Sequence, residues 1–516
     1  MTTNPKSAGK ALTELLQGFD AAQAIPNINI FDIASSSRQV APGSLFVALQ
    51  GGTTHGIDFA IDAVKAGAVA VMYCAQDDYS EKRIALLSKQ AETQWIGIDN
   101  LVQVVGEVVS RFYGEPSKAM TIIGVTGTDG KTSVTHLVTQ ALTRLSKNTA
   151  SIGTIGYGVG NVRQPTTHTT PDAITLQSYL HEFREQQCEY VVMEVSSHAL
   201  DQYRVDGCNF DIAVLTNLGR DHLDYHDTRH AYAAAKARLF SEFELSGKVL
   251  NVDDEFGHSL CDQSETSALI RFSARPQSSG SSNEQGCATI DAEVRLIKSD
   301  ITDRGLCMQV ASPVGEILAN TALMGRFNIE NTLACISTLI ALGFDQAQIQ
   351  LAVTDLQSIP GRMEKFIGAS DQPAVVVDFA HTEQALRACL TTCREYTTGK
   401  VWCVFGCGGD RDQGKRKGMG QAAEQLADRI IITDDNPRTE SPEQIVQEIL
   451  LGLSNPKKAS VVHSRLAAIE LALSEADADD LVVIAGKGHE SEQIVGFERY
   501  PFSDRLVVQR ILRIAK

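Results

Sequence analysis

The sequence predicts an α/β protein of several domains built mainly on parallel sheets, and three observations lead to that class. Strand-like apolar runs alternate with amphipathic helical stretches through most of the chain, the pattern of parallel α/β layers. In the last third, four apolar runs each end abruptly in a polar motif: "AVVVDFAH" (374–381), "VWCVFGCGGDRD" (401–412), "IIITDDNPR" (430–438) and "LVVIAGKGHE" (481–490). Finally, 516 residues exceed what one ordinary core serves, so two to four domains are expected.

Taken in order, the N-terminal "MTTNPKSAGKALTELL" lacks the apolar core of a signal segment, and no apolar run approaches the roughly 20 residues of a membrane span. A soluble cytoplasmic protein, a monomer, is the expectation. Turn residues around Pro116 ("YGEPSKAM") and Pro360 ("LQSIPGRME") mark two boundaries, giving domains 1–117, 118–358 and 359–516. The Ser/Gly-rich stretch 274–286 reads as a mobile surface loop. Helical segments such as "EQIVQEILLGL" and "RLAAIELALSEA" separate the strands of the last third. In an open parallel sheet, ligands bind at the carboxyl ends of strands, so the four polar motifs should share one edge.

A formal net charge of −17 argues against nonspecific nucleic-acid or anionic-membrane binding, which needs a basic field. An anionic ligand must then meet local basic clusters. Eleven cysteines without a C-x-x-C pair suit buried free thiols in a reducing compartment, with Cys403 and Cys407 as core residues.

"TIIGVTGTDGKTSVTHLVTQAL" from Thr121 is a strand, a glycine loop and a helix, the context of a phosphate-binding loop. Val125 occupies the first glycine position of the full pattern. Gly127 and Gly130 allow close approach of backbone N–H groups to phosphate, Lys131 neutralises the β- and γ-oxygens, and Thr132 supplies a hydroxyl for Mg²⁺. Glu194, after the apolar run of "VVMEVSSHALDQYRV", could reach the same metal. "IAVLTNLGRDHLDYH" ends in Asp221, His222, Asp224 and His226. Zinc is the competing reading of those histidines, and some of the four are scaffold; hard Mg²⁺ suits a site beside phosphates and carboxylates better. In "GRFNIEN", Asn328 and Asn331 stand one helical turn apart, placed either to contact a nucleotide or to cap a helix. The "DDNPR" cluster alone reads as turn chemistry leading into a helix.

Taken together and in order, "SSRQVAPGSLFVALQG", "GTDGKTS", "TTPD", "MEVSSHAL", "TNLGRDHLDYH", "AAAKARLF", "GRFNIEN", "PGRME", "GCGGDRD", "DNPR" and "GKGHE" resemble the Mur ligase family. These are ATP-dependent enzymes that add amino acids to peptidoglycan precursors, and the branch resembled is the one that adds meso-diaminopimelate. The resemblance covers nearly the whole chain. It implies a central P-loop ATPase-like mononucleotide-binding domain and a C-terminal Rossmann-like domain.

It further implies an ATP site of Gly127, Thr128, Asp129, Gly130, Lys131, Thr132 and Ser133 with Asn328, Asn331, Arg362, Asp378 and His381. Ser35, Ser37 and Gly52, Thr53 and Thr54 would hold the UDP end of UDP-N-acetylmuramoyl-dipeptide. His168, Thr169, Thr170, Ser196, Gln202 and Arg204 would hold its dipeptide end. Arg411, Asp435, Asn436, Pro437, Arg438, Gly486 and Glu490 match the diaminopimelate site. The catalytic group would be Lys131, Glu194, His222 and Lys236, with Thr132, Glu194, His222 and Lys236 around Mg²⁺. Without the resemblance, Lys236 reads as a surface helix lysine. With it, Lys236 is expected to be carbamylated, which turns a cation into an anionic oxygen ligand. The chain departs from the family's usual pattern at Asp129 (usually Asn), His168 (often Asn), Ser36 (commonly Asp) and in "HTEQAL", which lacks a proline after "HT". Sister readings are a lysine-adding or peptide-recycling ligase or a folylpolyglutamate synthetase; the reading outside enzymes is a nucleotide-gated binding protein.

Overall fold

The computed structural model describes residues 9–21, 25–52, 54–160, 162–166, 168–219, 221–261, 268–275, 292–302 and 305–514, without the side chains of 223 and 224. Thr53, the Asp224 side chain and most of the Ser/Gly-rich stretch therefore lie outside the described residues. The chain divides into two compact units, Met1–Phe272 with Ser337–Gly343, and Ser273–Ile336 with Phe344–Lys516.

The first unit opens with a four-stranded parallel sheet whose strands follow in chain order: Asp32–Ala34, Ser44–Ala48, Ala70–Cys74 and Gln94–Ile98. Period-2 alternation divides its core. Leu45 and Val47 face the helix Leu101–Phe112 through Val105 and Val108, whereas Phe46 and Ala48 pack on Ala60 and Ala63 of the helix Ala60–Ala66. With both faces covered, "SLFVA" reads as a continuous apolar run and is buried throughout.

A larger parallel array follows in the same unit. Thr121–Thr126 is its middle, with Tyr190–Glu194 and then Thr149–Gly153 on one side, and Ile212–Leu215, Gly247–Asn251 and Leu269–Ser273 on the other. Gly156–Val159 closes the Thr149–Gly153 edge as an antiparallel partner.

The second unit holds an antiparallel meander, Val294–Thr302, Gly305–Ala311 and Ile317–Thr321. It also holds a six-stranded sheet in the order Glu364–Phe366, Ala374–Asp378, Leu481–Ala485, Val401–Phe405, Arg429–Ile432, Ala459–Val461. Only the edge strand Glu364–Phe366 runs antiparallel. Helices Glu383–Arg394, Gly414–Leu426 and Pro442–Leu450 cover one face, to which Val401, Cys403 and Phe405 contribute; Arg465–Glu475 and Asp504–Ile511 cover the other, with Trp402 and Val404. Sequence and structure agree here. All four strands ending in polar motifs are parallel, so those motifs leave one edge. A short hairpin, Glu492–Val495 with Glu498–Pro501, follows the last of them and was not anticipated.

Among the described residues ten cysteines are free, Cys403 and Cys407 buried among them. No described helix is long and apolar enough to cross a membrane.

Candidate active site

Because Thr121–Thr126 lies mid-sheet, its carboxyl end emerges beside those of two neighbours, with Glu194 in register with Val125 and Leu215 with Thr126. The chain then turns through Gly127, Thr128, Asp129 and Gly130 into the helix Lys131–Arg144, with Ser133 in its first turn. Gly127 adopts φ 147°, and a Cβ there would stand 1.9 Å from Thr216 Oγ1, so only glycine fits. The loop is held from behind. Thr216 Oγ1 donates to the Asp129 carbonyl at 2.5 Å, and the Asp129 N–H donates to Asn217 Oδ1 at 2.9 Å. Lys131 Nζ folds back to donate to the carbonyls of Gly127 (2.9 Å) and Thr128 (2.8 Å). Burial lowers its pKa, against the pull of the Glu194, Asp129 and Asp221 carboxylates. Free N–H groups at a helix start and a fixed ammonium form an anion site.

Beside this loop Glu194 is 1% exposed. Its Oε2 accepts from Thr132 Oγ1 (2.8 Å) and Thr154 Oγ1 (3.1 Å), and its Oε1 from the Thr154 N–H (2.7 Å). Burial raises its carboxyl pKa, and these donors and Lys131 oppose that rise. Lys236 is also 1% exposed, contrary to the surface position that its alanine-rich helix suggests. Its Nζ donates to the Gly127 carbonyl at 2.7 Å and lies 4.6 Å from the centre of the Tyr232 ring. Burial, and then the Lys131 charge, push its pKa well below the ordinary lysine range. Tyr232 pairs its hydroxyl with Thr128 Oγ1 at 3.0 Å.

His222 sits on the adjoining segment with φ 53°, its ring exposed, edge-on to His198 at 4.7 Å and 6.2 Å from Tyr232. His226 instead is buried against Ser197 Oγ at 3.0 Å, a scaffold role. Lys131 and Thr132 at the helix start, Glu194 at a strand end and Lys236 on its helix thus gather around one loop, and the Thr132 hydroxyl with the Glu194 carboxylate suits a hard cation completed by phosphate oxygens and water. Thr154 and Tyr232 escaped the sequence reading. Tyr232 had a signal, standing one helical turn before Lys236.

A second group touches Glu194 from the far side. Thr170 Oγ1 donates to the Glu194 carbonyl (2.8 Å) and accepts the Ser196 N–H (3.0 Å). Thr169 pairs with Thr154 at 3.1 Å, and exposed His168 precedes it. Arg204 donates to the Thr170 carbonyl (3.1 Å) and to Gln202 Oε1 (3.0 Å), while Gln202 Nε2 donates to the Tyr225 hydroxyl (2.9 Å). In the N-terminal sheet, Ser35 and Ser37 lie in the bend after Asp32–Ala34, and Gly52 lies in a turn closed by Gly51 N–H to the Thr54 carbonyl at 2.9 Å. A cavity of about 240 Å³ opens at the carboxyl ends of these strands, lined by Leu49, Gln50, His55, Asp77, Asn100 and Tyr203 among others, not by Ser35 or Ser37.

In the second unit the strand-end motifs interlock. Arg438 is half-buried at φ 51°; its backbone bonds to Ile494 and Gly496 of the hairpin, and its Nη1 donates to the Gly409 carbonyl at 2.7 Å. Arg411 is exposed on the neighbouring loop. Pro437 is buried. Asp435 and Asn436 are also buried, at 8% and 4% exposure, despite their turn-like composition. Burial raises the Asp435 carboxyl pKa, opposed by the charges of Arg465 and Lys487. Gly486, at φ 118°, lets Asp435 approach, since a Cβ there would stand 2.5 Å from its carboxylate. Two fully buried arginines brace this edge: Arg465 pairs with Asp504 through two bonds of 2.8 Å, and Arg416 holds Glu440 (3.0 Å) and Glu448 (2.8 Å). Neither was singled out in the sequence, because a charged residue in an amphipathic helix reads as solvated.

Elsewhere in this unit Arg362 lies over the Phe379 ring at 5.3 Å, His381 bonds the Phe379 carbonyl at 2.9 Å, and Asp378 accepts the N–H groups of Met363 and Ala380. Arg362 and His381 thus both lie against Phe379, which Asp378 precedes in the chain. Asn328 and Asn331 are buried and bonded to each other at 2.9 Å.

Three segments match family descriptions: 30–113 the "Mur ligase family, catalytic domain", 125–339 the "Mur ligase middle domain" and 361–488 the "Mur ligase, glutamate ligase domain". The chain is 41% identical over 490 residues to the UDP-N-acetylmuramoyl-L-alanyl-D-glutamate–2,6-diaminopimelate ligase of Pseudomonas aeruginosa, covering 95% of this chain and 96% of the relative. It is 42% identical over 507 residues to that of Xanthomonas campestris, covering 98% of each. A solved structure of a ligase of the same name superposes with a TM-score of 0.73 at 33% identity, covering 98% of this chain and 99% of that one.

Proposed function

Because the chain belongs to the Mur ligase family, we propose that it joins meso-diaminopimelate to the D-glutamate of UDP-N-acetylmuramoyl-L-alanyl-D-glutamate, with ATP as co-substrate, in peptidoglycan precursor synthesis. The three matched segments support the division 1–117, 118–358 and 359–516 for the precursor, ATP and amino-acid domains.

A carboxylate is a poor electrophile, so the reaction begins with phosphoryl transfer from ATP to the glutamate γ-carboxylate, giving an acyl phosphate and ADP. An amine of diaminopimelate attacks the acyl carbon, and phosphate leaves with the bonding pair. Lys131 and the loop N–H groups offset charge on the moving phosphoryl group. Thr132, Glu194, His222 and carbamylated Lys236 would hold Mg²⁺, which supplies further charge neutralisation there. The depressed pKa of Lys236 supports the carbamate, since the neutral amine is the form that adds CO₂. Arg204, anchored by Gln202 and Thr170, clamps an anionic group of the precursor.

The observation that carries the amino-acid assignment is the ionic set on one strand edge: the Arg411 and Arg438 cations, with the Glu490 carboxylate held by Asn436 at 2.9 Å. Diaminopimelate differs from lysine by a distal carboxylate, so a site selecting it needs a fixed cation there. A guanidinium fork provides one. The test is a panel of amino acids offered with UDP-N-acetylmuramoyl-dipeptide and ATP, with products identified by mass. A lysine adduct in place of a diaminopimelate adduct would move the chain to the lysine-adding branch. ATP bound with neither turnover nor adduct would favour a nucleotide-gated binding protein.

Two substitutions check the assigned sites. Removing one partner of a desolvated charge pair costs about 2–5 kcal/mol, so Arg438→Ala should lower kcat/KM for diaminopimelate by roughly 30-fold to several thousand-fold. ATP affinity should barely move, and lysine should not become a good substrate, because losing a clamp builds no new complementarity. Steady-state kinetics with both amino acids decide it; a change of only a few-fold removes the clamp. Arg204→Ala should raise KM for the precursor alone, measured against each substrate in turn, whereas equal losses for all three would indicate misfolding.

A further inference from the structure

One buried charge at the strand edge has no place in the reaction as derived. Lys487 is fully buried, and its Nζ donates to Asn436 Oδ1 at 3.0 Å and to Glu490 Oε2 at 2.7 Å. Asn436 Nδ2 donates to the same Glu490 Oε2 at 2.9 Å, closing a triangle. Asn436 Oδ1 also accepts the Ile494 N–H at 3.0 Å, which ties the triangle to the hairpin that carries the Arg438 backbone.

We propose that Lys487 is a positioning residue for the amino-acid substrate, which sets the rotamers of Asn436 and Glu490 so that Glu490 presents one carboxylate oxygen to a substrate ammonium group. The inference rests on the diaminopimelate reading of this edge. The orientation of Asn436 follows from its partners. With Oδ1 between an ammonium and a backbone N–H, a flipped amide would put donor against donor at both contacts. Glu490 is constrained in the same way. Its Oε2 takes two donors, one a cation, while its Oε1 takes no donor among the described residues, and the side chain is 35% exposed. Oε1 therefore keeps acceptor capacity for a ligand, and the rotamer that leaves it unbonded is held by the two donors on Oε2. A lysine does this without competing for the substrate carboxylates, because its charge is wholly screened from solvent by the groups it binds.

The bland alternative is a staple joining three loops with no bearing on the ligand. Lys487→Met separates the two, since methionine keeps the length and apolar stem but donates nothing. Positioning predicts a KM for diaminopimelate raised about 10- to 100-fold, the range for losing a support one shell from a ligand. The KM values for ATP and for the UDP-precursor should stay within two-fold. A staple alone predicts a lower melting temperature and a lower kcat per mole of protein, with all three KM values unchanged; that outcome overturns the proposal. Lys487→Met leaves Glu490 without its counter-ion and so puts folding at risk, and Lys487→Met/Glu490→Gln is therefore measured in parallel. If the pair folds, Glu490→Gln alone should lose as much diaminopimelate affinity as the pair, because the lysine acts through Glu490 and Asn436. An additional loss in the pair of less than two-fold supports the proposal when Lys487→Met alone, or Lys487→Arg where Lys487→Met does not fold, raises the diaminopimelate KM; an unchanged KM in that single variant, or a pair that binds diaminopimelate as the wild type does, overturns it. A wild-type enzyme that ligates no diamino acid defeats the functional reading, whereas a diaminopimelate-competent wild type with an indifferent Lys487→Met defeats this inference alone.

Discussion

Lys131→Ala is expected to lower the ligation rate by about two to three orders of magnitude, the scale for removing one preorganised donor from a developing charge, with the melting temperature little changed. Its ammonium rests on the Gly127 and Thr128 carbonyls at 2.9 and 2.8 Å, and on the proposed reading those weak neutral partners would be exchanged for the β- and γ-oxygens of bound nucleotide. A second effect follows from the same charge. Burial is the main cause of the low pKa of Lys236, but Lys131 adds to it, so its removal should raise that pKa and reduce the neutral amine available to CO₂. The variant should therefore take up less ¹³CO₂ label at Lys236 as well as turning over slowly. Turnover near the wild-type value, with ATP dependence unchanged, would remove the phosphate-loop assignment.

Lys236→Ala should cost at least about 100-fold in activity, more than the loss of a group that only supports a metal ligand. On the carbamate reading the substitution would take away an anionic ligand, and it opens a space lined by Tyr232 and the Gly127 carbonyl. Formate or acetate should enter that space and restore part of the rate, and wild-type activity should fall in bicarbonate-depleted buffer and recover on its return. If the variant stays active and small carboxylates have no effect, Lys236 is a packing residue. A melting curve for each variant separates lost chemistry from lost fold.

Much of the architecture was legible beforehand because its signals are local. The apolar runs at 374–381, 401–412, 430–438 and 481–490 became neighbouring parallel strands, since continuous apolar runs are what a sheet covered on both faces requires. The hairpin Glu492–Val495 with Glu498–Pro501 was not legible. It buries neither face, so its residues carry no alternation to read. The structure brings Thr132 and Lys131 beside Glu194, yet Thr154, which binds both its oxygens, has no motif of its own.

What the sequence determined by itself was the α/β class, the strand, glycine loop and helix that carry Lys131 and Thr132, and the strand edge that carries Arg411, Arg438 and Glu490, because periodicity and loop spacing span only a few residues. What only the tertiary structure decided was the state of the charged groups. Without the family resemblance Lys236 reads as a surface helix lysine, and the cluster holding Asp435 reads as turn chemistry; Lys487 carried no reading, and all three are buried. A side chain's protonation and rotamer depend on desolvation and on partners set by the fold: Lys236 meets the Gly127 carbonyl across 109 positions of chain, and Lys487 meets Asn436 across 51. No local pattern contains such a pair, so the burial and partners of those lysines are set by the packing of strands and loops that are distant in the sequence.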